Sequence, residues 1–150
     1  LQEARLKVDE YRKKTIVAFR DKTPPRLYEA MEYSVLAPGK RFRSFLLLEF
    51  GQAFQVPEKY LLQIAIAIEF VNAYSLVHDD LPCMDDAALR RGQPTTHLKF
   101  DEATALLAGN ALLTAAFEML SSEETHPDPT IRLRLITALA EACGSQGMMG

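Results

Sequence analysis

Four carboxylates crowd the run Asp79-Asp80-Leu81-Pro82-Cys83-Met84-Asp85-Asp86. Charges of one sign this close destabilise each other unless a cation or several donors neutralise them. All of these ligands are oxygens. An oxygen-only set without clustered His or Cys selects hard Mg²⁺ over zinc. Magnesium held by few carboxylates completes its shell with water and phosphate oxygens. Leu89-Arg90-Arg91-Gly92 follows within the same polar stretch. Guanidinium forks match phosphate oxygens, and Gly92 lets a backbone approach closely. Acidic and basic groups alternating on one loop therefore suit a polyphosphate. A solvated acidic loop or an internal salt-bridge network is the plain alternative.

A second cationic group, Gly39-Lys40-Arg41-Phe42-Arg43, is expected at a helix start, where free N–H groups and the positive dipole end favour phosphate. With the helix beginning at Lys40, Lys40 and Arg43 share a face and Arg41 points elsewhere. A polar line of Glu69, Asn72, Ser75 and Asp79 steps along one face of an otherwise apolar segment, so it faces a wet cavity or a buried network. Asn110 is a candidate to join it.

The elements that must position these groups are helical. Leu6 to Thr23 is amphipathic and stops at Pro24-Pro25. The spacing predicts further helices over Arg26–Leu36, Lys40–Phe54 and Glu58–Asp80, the last opened by Pro57. Leu81 to Thr96 reads as an ordered polar loop. Asp101 is a plausible N-cap for Glu102–Ser122, and Asp128-Pro129 opens a last helix towards Gly144, with the helical pattern running on to Gly150. No strand-length alternation is visible, so the class is all-α. The 150 residues fit one domain, and 48% hydrophobic content is ample for its core. A net charge of −3 gives no nucleic-acid footprint. Cys83 and Cys143 form no disulfide framework and suit a reducing, cytoplasmic setting. The apolar run Leu61 to Val77 is broken by Gln63, Glu69, Asn72 and Ser75, and reads as a buried helix rather than a membrane span. The chain opens without Met and stops without a cap, so a fragment is expected.

His78 through Asp86 followed by Leu89-Arg90-Arg91-Gly92-Gln93-Pro94-Thr95 resembles the first aspartate-rich motif of trans-prenyl diphosphate synthases, the polyprenyl synthetase family. The four residues between Asp80 and Asp85 match the bacterial farnesyl diphosphate synthase type, and Gly39 to Arg43 is similar to that family's isopentenyl diphosphate site. The similarity continues through Leu106 to Leu113 and Gly147 to Gly150. The resemblance implies the N-terminal portion of an isoprenoid-synthase-type antiparallel helical bundle, working as a homodimer. Mg²⁺ would be held by Asp79, Asp80 and Asp85. Arg90 would grip the allylic diphosphate; Lys40, Arg43, Asn72 and Arg91 would hold isopentenyl diphosphate. Departing pyrophosphate would leave an allylic cation for the isopentenyl alkene to attack. Tyr74, the fifth residue before the motif, and its neighbour Ser75 would set chain length, for a farnesyl (C15) product with geranylgeranyl diphosphate as runner-up.

This sequence departs from the pattern at Asn72 (usually His), Asn110 (usually Asp), Ala87-Ala88 (often acidic), Pro38 (usually Gly) and Ser44 (usually Pro). The family's second aspartate-rich motif is expected beyond residue 150, so these residues alone should not catalyse. A non-catalytic partner subunit is the competing reading. A metal phosphohydrolase built on His78 is a third, and it would need His97 or His126 as further ligands.

Overall fold

The computed structural model describes residues 2–150. Seven helices follow one another: α1 (Gln2–Val17), α2 (Pro25–Val35), α3 (Phe42–Ala53), α4 (Glu58–Asp79), the short α5 (Thr96–Lys99), α6 (Glu102–Ser121) and α7 (Pro129–Cys143). The class is all-α, and the boundaries follow local chemistry. Pro25 and Pro129 sit in the first turns of α2 and α7, where a missing N–H costs nothing. Asp101 caps α6 by accepting from the Thr104 N–H at 2.7 Å, and Asp128 caps α7 from Thr130 at 2.8 Å.

Three boundaries differ from the sequence expectation. Helix α1 ends at Val17, not Thr23. Its β-branched run Thr15-Ile16-Val17 is a weak helix former, and Ala18 and Phe19 bond back only three residues, leading into a 3₁₀ turn over Arg20–Lys22. Helix α3 begins at Phe42, because Arg41 adopts the left-handed conformation with φ 54°. Beyond Gly144 the chain forms turns over 145–149 rather than more helix. The polar loop also contains a two-stranded hairpin, β1 (Leu89–Arg90) and β2 (Gln93–Pro94), paired Leu89 to Pro94 and Arg90 to Gln93.

Helix α4 is the central pillar. Its Ile66, Phe70 and Ala67 are fully buried, meeting Met31 and Val35 of α2, Leu48 of α3, and Leu112 and Ala116 of α6. Small residues Ala105, Ala108, Gly109 and Ala115 line the buried face of α6, letting it lie close against α4, its most extensive contact. Each large side chain buried this fully contributes about 1.5–3 kcal/mol, and Leu112→Ala would cost about 2–5 kcal/mol. Helices α4 and α6 are long and apolar enough to cross a bilayer, but here the apolar surface of α4 builds the core.

Candidate functional site: an acidic loop and a cationic cleft

Helix α4 delivers Asp79 as its last residue and Asp80 as its C-cap. The chain then folds back tightly. The Asp85 N–H donates to the Asp79 carbonyl at 2.8 Å, Asp86 N–H to Leu81 O at 3.1 Å, and Ala87 N–H to Asp80 O at 3.2 Å. Leu81 anchors the turn in a small cluster with Val77 and Ala105. Asp85 is thereby returned to the end of α4 beside Asp79. Asp79 ends a 22-residue helix at its negative pole, and neither Asp79 nor Asp85 has an ion-pair partner among the described residues. That environment favours a bound cation.

Asp80 is different. It is buried and accepts a forked pair from Arg90, with Nη2 to Oδ1 at 2.7 Å and Nε to Oδ2 at 2.9 Å. The Asp80 hydrogen bond raises the Arg90 guanidinium above its ordinary value. No group of three or more His, Cys, Asp or Glu is arranged for a metal among the described residues. The donor chemistry fits magnesium supported by Asp79 and Asp85, with water and phosphate oxygens completing the shell. The three histidines serve elsewhere. His78 Nε2 bonds to Leu106 O at 3.0 Å, His97 to Thr95 Oγ1 at 3.2 Å, and His126 lies against Tyr60. The separation leaves no imidazole set for the phosphohydrolase reading.

The hairpin carries the two arginines outward in different directions. Arg91 (φ 52°) and Gly92 (φ 79°) form its two-residue turn, and two successive positive φ values match the type I′ geometry of tight hairpins. Thr95 ties the base down by donating to Ala87 O at 2.7 Å, and the Tyr33 hydroxyl donates to Pro94 O at 2.6 Å. Arg90 turns back to Asp80, whereas Arg91 reaches across to donate to Pro38 O.

Arg91 thus joins a cleft of about 530 Å³ whose walls include Arg5, Lys40, Arg43 and Asn72. Arg43 donates to Asn72 Oδ1 at 3.1 Å, and Lys40 is exposed. Lys40 lies before α3 rather than within it, so the expected shared helical face is replaced by a loop that opens onto the cleft. Gly39 leaves room there for two guanidinium ends. A Cβ would lie 2.5 Å from Arg91 Nη1 and 2.6 Å from Arg41 Nη1.

Beneath the cleft lies a network the sequence reading did not isolate. Arg41, expected merely to point away, is buried. It donates from Nε to Asp9 at 2.8 Å, from Nη1 to Glu69 at 3.2 Å and from Nη2 to Ala37 O at 2.6 Å. Ser44 donates to Glu69 at 2.5 Å, and Arg12 pairs with Asp9 at 2.9 Å. Burial, with the Arg41 charge beside it, pushes the Arg12 guanidinium down to about 10. Removing one member of a buried ion pair of this kind costs about 3–5 kcal/mol. Charged residues at helical spacing on α1 were visible in the sequence, but their inward direction was not.

The polar line on α4 divides accordingly: Glu69 enters the network, Asn72 faces the cleft, and Ser75 donates back to Asn72 O at 2.9 Å. Asn110 is exposed on α6 and takes no part in it. An apolar groove of about 510 Å³ runs beside Ile64, Ile68 and Val71 of α4, Leu135 and Leu139 of α7, and Met148. Tyr74 is buried on α4 outside the lining of this groove, with its ring edge-on to His78 at 5.3 Å. Burial, reinforced by Cys143 and Asp79, raises its hydroxyl above the ordinary value.

Known proteins share this arrangement of helices. A family profile described as polyprenyl synthetase matches residues 24–148. The farnesyl diphosphate synthase of Geobacillus stearothermophilus is 48% identical over 127 residues, which cover 84% of this chain and 43% of that protein. The Escherichia coli farnesyl diphosphate synthase is 49% identical over 123 residues, covering 81% and 41%. The chain therefore spans about two-fifths of the length of these curated relatives. Among solved structures, an FPP/GFPP synthase from Zymomonas mobilis superposes with a TM-score of 0.87 at 42% identity, covering 99% of this chain and 55% of that one. A geranyltransferase from Legionella pneumophila gives 0.85 at 34% identity, covering 99% and 54%. With a family match over most of its length, joined to a fold and motif order that agree, the chain belongs to the polyprenyl synthetase family.

Proposed function

We propose that these residues are the N-terminal portion of a cytoplasmic, homodimeric prenyltransferase that condenses isopentenyl diphosphate with an allylic diphosphate and releases pyrophosphate. One observation carries the reading. Lys40, Arg43, Asn72 and Arg91 line a single cationic cleft, while Asp79 and Asp85 converge at a separate acidic end, and one hairpin reaches both. Two anionic substrates can thus be held apart yet side by side.

Asp79 and Asp85 are the carboxylates that would hold Mg²⁺, which when bound neutralises diphosphate charge and assists its departure. Asp80 acts one step back, holding Arg90 in place for the allylic diphosphate. Lys40, Arg43 and Arg91 fix isopentenyl diphosphate, and Asn72 orients Arg43. As the allylic C–O bond breaks, Arg90 stabilises charge on the departing pyrophosphate. The isopentenyl alkene attacks the allylic carbon, forming the new C–C bond and a tertiary cation, which passes a proton to the departed pyrophosphate as the new double bond forms. Apolar side chains of α4 and α7 keep water from the cation, and Tyr74 with Ser75 limits the tail to a farnesyl product.

The test uses the full-length protein that carries these residues. Losing one charge-assisted hydrogen bond costs about 1.5–3 kcal/mol. Lys40→Ala or Arg43→Ala should therefore raise the isopentenyl diphosphate KM roughly 10- to 150-fold and leave the allylic KM within about threefold. Asp79→Ala should abolish Mg²⁺-dependent allylic binding. Equal effects on both substrates, or allylic affinity indifferent to excess chelator, would overturn the assignment.

A further inference from the structure

We infer that Arg41, gripped by Asp9 and Glu69, is the positioning residue of the cationic cleft, and that α1 is thereby part of the site. The inference rests on the diphosphate assignment above. Arg41 is 7% exposed, and three segments bind its guanidinium: α1 through Asp9, α4 through Glu69, and the α2–α3 linker through Ala37 O. Two of those partners are themselves braced, Asp9 by Arg12 and Glu69 by Ser44. Asp9 and Glu69 pair with Arg41, Asp9 also meeting Arg12 and, at 3.7 Å, Arg5, so the Arg41 charge is met by acids inside the protein where its side chain forms part of the cleft wall.

The backbone explains what this grip achieves. A non-glycine residue at φ 54° persists only where its surroundings over-determine it. With Arg41 locked inward, its neighbours Lys40 and Arg43 remain exposed on the cleft side, and the Phe45 N–H closes the first bond of α3 on Arg41 O at 2.9 Å. Release of Arg41 would free the loop to relax towards ordinary helix and redirect Lys40. The grip uses donors at three angles, a geometry that the planar Arg fork supplies and a Lys ammonium does not.

The experiment compares Asp9→Asn, Glu69→Gln and Arg41→Lys with Lys40→Ala in the full-length protein, following steady-state kinetics and thermal melting. Each network variant should raise the isopentenyl diphosphate KM about 10-fold while kcat and the allylic KM stay within about threefold. Asp9→Glu, which keeps the charge, should recover most of the loss. If the network variants lower the Tm but leave the isopentenyl KM unchanged while Lys40→Ala raises it, Arg41 is merely structural and the inference fails alone. If Lys40→Ala also has no effect, the cleft assignment fails with it. Should Arg41→Lys not fold, Asp9→Asn decides, since Asp9 is 24% exposed and Arg41 keeps its other two partners.

Discussion

Gly109 of α6 faces the ring of His78, one residue before the acidic pair. A Cβ placed there would lie 2.5 Å from His78 Cδ2 and 3.0 Å from Cε1, and closer still to Nε2. Ordinary contact needs about 3.4 Å or more, so Gly109→Ala forces a shift of roughly 1 Å in a packed interface. Two responses are open. If α6 backs away from α4, overpacking costs about 1–3 kcal/mol. If the His78 ring swings out, it gives up its bond to Leu106 O, worth about 0.5–1.5 kcal/mol, and its edge-on contact with Tyr74, worth about as much. Alanine returns about 1 kcal/mol of helix propensity. The net expectation is destabilisation of about 1–2 kcal/mol. It should be read as a lower urea midpoint with unchanged m-value in the full-length protein. His78→Ala removes the obstacle, so in that background Gly109→Ala should be neutral or stabilising, a double-mutant coupling of about 1–2 kcal/mol. A neutral Gly109→Ala in the otherwise unaltered protein would refute the argument, because His78 would then have another place to go.

Two further outcomes follow from the geometry. Tyr74 lies five residues before Asp79, about 7.5 Å down the helix, so Tyr74→Ala should lengthen the product by one or more C5 units; unchanged chain length on product analysis would put the floor elsewhere. Arg26 and then the Thr104 cap hold Asp101 down to about 2 against an ordinary 3.8. A carboxyl depressed in the folded state contributes stability above its unfolded pKa and loses it as pH falls through the folded value. Asp101→Asn should therefore flatten the acid limb of the unfolding curve between about pH 4 and 2, and an unaltered limb would show that the cap does not govern it.

The helices were legible because their punctuation is local. Pro57, Asp101 and Asp128-Pro129 each act within one turn and mark a helix start in the structure, whereas Pro24-Pro25 opens α2 without marking the end of α1, which lies at Val17. The acidic loop was legible for the same reason: its carboxylates are neighbours in sequence. Arg41 was not, since its inward direction depends on Asp9 and Glu69, 32 and 28 residues away. The hairpin also escaped notice. Arg91-Gly92 lacks the Asn-Gly or Asp-Gly signal of a type I′ turn, and two-residue strands are too short to show alternation. Asp80 illustrates a third limit. Spacing placed it among potential metal ligands, and the folded loop adds what spacing could not show, that both its oxygens accept from Arg90.

The hairpin puts Arg90, the last residue of β1, directly before Arg91, the first residue of its two-residue turn, one tied to the acidic end and the other to the cleft wall at Pro38. Adjacent residues at the edge of so tight a turn have little slack to absorb a displacement between them. If both arginines receive diphosphates as proposed, any movement of the hairpin on capture of one substrate is transmitted to the pocket for the other. Thermodynamic linkage then demands reciprocity: whatever factor the first ligand imposes on the affinity of the second, the second imposes on the first. Saturation with either substrate analogue should shift the dissociation constant of its companion by the same ratio, making order of addition a kinetic matter and not an energetic one.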